Sequence, residues 1–154
     1  MKIIGIDPGL QKTGWGIIEK NGNALGYIAS GLIKTNAKAP LAERLAHLHH
    51  ELSSAITQHT PQTAGVEETF VNKNPASALK LGQARGVVLA VPAILDLPVG
   101  EYSANKIKKS VVGTGHASKE QIQMMIRTLL PTSGKITEDE ADALAVAITH
   151  AHYM

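Results

Sequence analysis

The first 34 residues alternate short β-branched stretches with glycine-bearing turns, a pattern of strands rather than helices. Residues 2–7, 13–19 and 25–34 form three such stretches, and Asn21-Gly22-Asn23 between the last two is a hairpin signal. Three consecutive antiparallel strands are expected. The period then changes. Leu41, Leu45, Leu48, Leu52 and Ile56 recur at helical spacing behind Pro40, which predicts a helix over 40–58. Ala64-Gly65-Val66-Glu67 predicts a short buried strand. Asn74-Pro75 pairs an N-cap with a favoured first helical residue. The helix it opens should run to about Val91, where Pro92 ends or kinks it. A weak fifth strand is expected at Val99–Tyr102. Ser118-Lys119-Glu120-Gln121 and Thr137-Glu138-Asp139-Glu140 are both capping boxes, opening aliphatic helices that reach Leu130 and about His150. The order is three strands, helix, strand, helix, strand, helices. It defines an α/β fold, a mixed five-stranded sheet flanked by helices, in a single domain over residues 1–154.

Composition narrows the class. Hydrophobic residues make up 44% of the chain, yet only five are aromatic, so the core must be aliphatic. No apolar run reaches the roughly 18 residues of a membrane span, and Asp7 interrupts any N-terminal signal sequence. The absence of cysteine excludes a disulfide scaffold and a thiolate zinc site, and fits a cytoplasmic protein. At 154 residues there is little room for the second domain of an NTP-driven machine.

The net charge of +2 hides an asymmetry. Residues 101–135 carry six basic groups against two acids, whereas residues 136–154 carry four acids and no Lys or Arg. Two ordinary solvated helix faces would give this pattern. So would a metal-dependent phosphodiester enzyme, in which lysines hold the polyanion and carboxylates hold the cations.

The placement of the acids bears on that choice. Asp7 ends the first strand beside the Pro8-Gly9 turn, and Glu67 ends the buried fourth strand. Asp139 and Asp142 lie three apart on one helical face. Each has an ordinary explanation alone: a turn aspartate, an exposed strand end, helix N-terminal acids favoured by the macrodipole. Asp142 fits its explanation least, because Ala141, Ala143, Leu144 and Ala145 surround it and a charge there needs a partner. Two charges about 4 Å apart repel by about 4 kcal/mol at an effective dielectric near 20, so four converging carboxylates would persist only with protons or cations. Mg²⁺ is the natural cation for such oxygen ligands.

The motifs also carry a family resemblance. Ile4-Gly5-Ile6-Asp7-Pro8-Gly9 with Thr13-Gly14-Trp15-Gly16 resembles the opening of RuvC-type Holliday junction resolvases. Val66-Glu67-Glu68-Thr69-Phe70, the run Ser77 to Gly86, Lys106 to Gly113, and Asp142-Ala143-Leu144-Ala145 to His150 continue it in order. The resemblance implies an RNase H-like fold. It implies a homodimeric endonuclease of recombination and repair that cuts four-way junction DNA by paired symmetric nicks. Mg²⁺, with Mn²⁺ as a substitute and two ions per site, would drive hydrolysis to 5′-phosphate and 3′-hydroxyl ends. Asp7, Glu67, Asp139 and Asp142 take the positions of the catalytic and metal-binding acids. Lys108 and Lys119 take those of junction-contacting lysines, and Phe70 that of an aromatic stacking on an unpaired base. Arg85, in the run Ser77 to Gly86, is a candidate for orienting acids or DNA phosphates. Gly82 and Gly86, four apart in that run, would let another backbone approach, either a second copy or the protein's own sheet. The RuvA–RuvB branch-migration complex is the further partner the resemblance suggests.

The chain departs from the family pattern in places. Leu10 and Gln11 replace more polar and basic residues, Glu68 adds a charge beside the site, and Pro92 interrupts a helix that is often continuous. The sole phenylalanine is spent three residues after Glu67, in a segment expected to be an exposed loop. A ring there has little to gain from the core and can stack on a base.

Overall fold

The structure, a computed structural model, describes residues 1–68 and 74–154. Five strands form one mixed sheet: β1 (Lys2–Asp7), β2 (Lys12–Asn21), β3 (Ala24–Lys34), β4 (Thr63–Glu68) and β5 (Val99–Ser103), in the order β3-β2-β1-β4-β5. β1, β2 and β3 pair antiparallel; β4 lies parallel to both β1 and β5. The hairpin between β2 and β3 is closed by Gly22-Asn23 alone. Gly22 has φ +60, as expected of glycine at the first central position of a type II′ turn. Helices α1 (Leu41–His59) and α2 (Pro75–Ile94) cover one face of the sheet. Helices α3 (Ala104–Val111), α4 (Lys119–Leu129) and α5 (Glu138–Tyr153) cover the other.

Alternation along β1 divides the core between these faces. Ile4 and Ile6 pack with Leu48, Leu52, Ala84 and Val88 under α1 and α2. Ile3 packs with Leu144, Ala147 and Ile148 of α5. The neighbours Ile17 and Ile18 of β2, paired with Ile4 and Ile3, alternate between the same two clusters.

α5 lies almost on the sheet backbone. A Cβ on Gly5 would collide with the backbone of Ala143 and Ala147, and one on Gly14 would collide with the carbonyl of Asp139. The far end of α5 is pinned by a buried chain. The Thr63 hydroxyl donates to the Pro98 carbonyl (3.2 Å), so it accepts from His150 Nε2 (2.7 Å). That leaves Nδ1 to accept from the Tyr102 hydroxyl (2.6 Å), which assigns the neutral Nε2–H tautomer. Burial holds the His150 pKa below its usual value, which agrees.

Two expectations need correction. α2 passes Pro92 and ends at Ile94, because a proline so near the last turn removes one hydrogen bond and the chain recloses through Leu95 N–H to the Val91 carbonyl (3.1 Å). α3 was not expected at all. It is eight residues long and mostly polar, and only Ile107 and Val111 are buried.

Candidate active site

The acids meet because strand parity and one helix aim them at the same point. Asp7 shares its face of β1 with Ile3 and Gly5, and Glu67 shares its face of β4 with Thr63 and Gly65; both faces look toward α5. β1 and β4 are parallel neighbours, so their C-terminal ends lie side by side. The Thr137 capping box starts α5 at the same rim and sets Asp139 and Asp142 in its first turns. Carboxylate oxygens of Asp7, Asp139 and Asp142 all lie within 4.8 Å of one another. Glu67 is hydrogen-bonded to Asp7. The four acids line a cleft of about 380 Å³ with Lys108 from α3 and Lys119 from α4; Ala104, Ile107 and Ile122 form its apolar wall.

Burial and mutual repulsion raise the pKa values of these groups. Asp7 is pushed up to about 8, first by burial and then by Glu67 and Asp139. Asp142 is pushed up to about 7, first by burial and then by Asp7. Glu67 is raised mainly by burial, while its hydrogen bond with Asp7 opposes the rise. The pair therefore resists losing its protons more than two free carboxylates would. An all-oxygen donor set that holds protons near neutral pH fits hard divalent cations, whose charge would replace those protons.

The lysines differ in their attachments. Lys119 Nζ is paired with Glu138 at 2.5 Å, and that hydrogen bond raises its pKa. Lys108 sits near Glu67 and its charge opposes the rise in the latter's pKa. Glu140 closes the capping box and accepts from the Ser30 hydroxyl, tying the start of α5 to β3. The sequence drew attention to neither acid beyond its capping role.

Arg85 is placed elsewhere. It pairs with Glu101 on the α2 side of the sheet, across from the acids. Alternation likewise carries Glu68 to the face opposite Glu67. Phe70 lies outside the described residues. Gly82 and Gly86 do not pack on their own sheet: a Cβ on either would meet nothing within 4 Å.

A mixed sheet in this order, with acids converging at the ends of β1, β4 and α5, defines an RNase H-like, metal-dependent nuclease. Comparison narrows the class. The family model "Crossover junction endodeoxyribonuclease RuvC" matches residues 3–150. The RuvC proteins of Paramagnetospirillum magneticum and Xanthobacter autotrophicus are 60% and 58% identical over 153 residues. Those alignments cover 99% of this chain and 92% and 90% of the relatives. A solved structure of T. thermophilus RuvC in complex with a Holliday junction substrate superposes with a TM-score of 0.92 at 32% identity. It is matched over 99% of this chain and 94% of that one. The chain belongs to the RuvC family of crossover junction endodeoxyribonucleases. The yeast mitochondrial resolvase Ydc2, at 12% identity and a TM-score of 0.68, shares the fold.

Proposed function

We propose that this protein resolves four-way DNA junctions by hydrolysing one phosphodiester in each of two opposed strands. The convergence of Asp7, Glu67, Asp139 and Asp142 opposite Lys108 and Lys119 carries this reading. Two Mg²⁺ or Mn²⁺ ions held by the four acids would activate water and offset charge on the phosphate during in-line displacement. Asp7 and Asp142 would have to give up their protons for that binding. Water's oxygen bonds to phosphorus, the P–O3′ bond breaks, and the 3′ oxygen takes up a proton, leaving a 5′-phosphate and a 3′-hydroxyl. Lys108 and Lys119 hold the backbone beside the acids, with Lys119 exchanging Glu138 for phosphate. Phe70, three residues beyond Glu67, stacks on a base at the crossover.

Paired cuts need two sites, and α2 supplies a surface for a second copy. Leu79, Gly82, Gly86, Ala90 and Ile94 follow one another along its exposed side, with Leu79 65% and Ile94 66% exposed. Gly82 and Gly86 leave room there for another helix backbone. The proposed place of action is the cytoplasm.

The test is cleavage of an end-labelled four-way junction, with and without Mg²⁺, beside an Asp7→Asn variant. Paired symmetric nicks are expected from the wild type and none from the variant. Cleavage of RNA–DNA hybrids in preference to junctions would replace this reading with that of a general RNase H-like nuclease. Phe70→Ala should lower junction cleavage far more than Mg²⁺ binding.

A further inference from the structure

A second cleft, this one cationic, lies on the other side of the Asp7 turn. It measures about 330 Å³ and is lined by Leu10, Gln11, Arg44, Ser77 and Lys80, from the turn after β1, from α1 and from the start of α2. Its two cations come from different helices. Among the described residues neither has a carboxylate within ion-pair distance; the ion pairs there are Arg85–Glu101 and Lys119–Glu138. Converging like charges repel, so the arrangement favours an anion between them.

The arginine is also held in place. Arg44 Nε donates to the Thr35 hydroxyl (3.0 Å), which donates in turn to the Leu10 carbonyl (2.6 Å). A guanidinium fixed at Nε keeps its terminal N–H groups oriented and loses little freedom on binding. The relay ends three residues from Asp7, so the Leu10 wall of the cleft is at most about 11 Å from the catalytic turn, measured between Cα atoms. At about 3.4 Å of rise per nucleotide, that is roughly three steps along one strand.

We infer that this cleft grips a backbone phosphate of the junction strand a few nucleotides from the one being cut. The inference rests on the proposed junction-cleaving function. Arg and Lys supply charge, and the Ser77 hydroxyl and Gln11 amide supply further donors of the kind that contact phosphate rather than bases. The cleft thus sets register and affinity without reading sequence.

The experiment compares the wild type with an Arg44→Gln/Lys80→Gln variant. Junction binding is measured in chelator, so that no cleavage occurs, between 50 and 200 mM salt. Cleavage kinetics are then measured with Mg²⁺. The double variant should bind about tenfold more weakly or worse. Its slope of log K against log salt should be shallower by about 0.9, the value for one phosphate no longer neutralised. The cleavage defect should appear in KM and be overcome by saturating junction. Arg44→Lys, which keeps the charge, should retain most of the slope; a fall as large as that of the double variant overturns the proposal. A variant that matches the wild type in affinity and slope overturns it too. So does loss of inorganic phosphate binding with the junction slope intact, which would mark a free-anion site. Wild-type protein that does not bind junctions overturns both this inference and the function it rests on.

Discussion

At the scale of single residues, the acids are in conflict with the fold that carries them. Asp7 and Asp142 keep protons in the folded chain at pH values where the unfolded chain has lost them. Stability falls with rising pH wherever the native state binds more protons. The cation-free protein should therefore lose stability progressively from about pH 4 to about pH 8. Mg²⁺ should reverse that loss, and its effect on the melting temperature should be larger at pH 8 than at pH 6. Scanning calorimetry at both pH values, with and without Mg²⁺, checks this; an equal Mg²⁺ effect would count against proton displacement from the site. By the same logic Asp7→Asn should raise the melting temperature of the cation-free protein at pH 8. A relief of about 1 kcal/mol corresponds to about 2–4 °C at this size. The four acids could be picked out as candidates in the sequence, because strand ends and a three-residue helical interval are local properties, while the catalytic role proposed for them came from the resemblance. Their shared protons were not legible there. Those depend on how deeply the rim is buried, as do Lys119's attachment to Glu138 and the tie from Glu140 to Ser30.

Elements convert those residues into a site through close approach. The start of α5 sits over Gly14 so tightly that a methyl there would strike the Asp139 carbonyl. Gly14→Ala should push the first turn of α5 outward, costing about 1–3 kcal/mol and lowering Mg²⁺ affinity because Asp139 moves with the turn. Chemical denaturation and a Mg²⁺ titration read the two effects separately. A destabilised variant with unchanged Mg²⁺ affinity would show that the acids tolerate movement of the turn. Most elements could be placed from periodicity and caps; α3 could not. Its apolar stripe is one pair, Ile107 and Val111, too short for a period to declare itself. The Ser103 cap, whose hydroxyl accepts from Lys106 N–H, was the available signal. The omission matters for function, since α3 is what brings Lys108 to the cleft.

The whole molecule adds a requirement that neither scale contains. Two simultaneous cuts need two clefts held in fixed relation, and the exposed apolar side of α2 is the proposed means. Leu79→Glu should shift the protein toward monomer in analytical ultracentrifugation and replace paired nicks by single ones. A charged variant that stays dimeric would move the interface elsewhere. The sequence marked Gly82 and Gly86 as a place of approach, yet left open whether the partner was the protein's own sheet or a second copy. Only burial separates the two, and both glycines face outward.

The central position of α5 also has a consequence for how the enzyme comes into being. Asp7 emerges from the ribosome early, but its partners Asp139 and Asp142 emerge only after all five strands. Until then the middle of one face of the sheet, around Ile3 and Ile18, lacks the helix that packs most closely on it. Chains interrupted before residue 138 hold only Asp7 and Glu67 of the proposed acid cluster. The last helix made thus completes both the proposed metal-binding site and the aliphatic core beneath it.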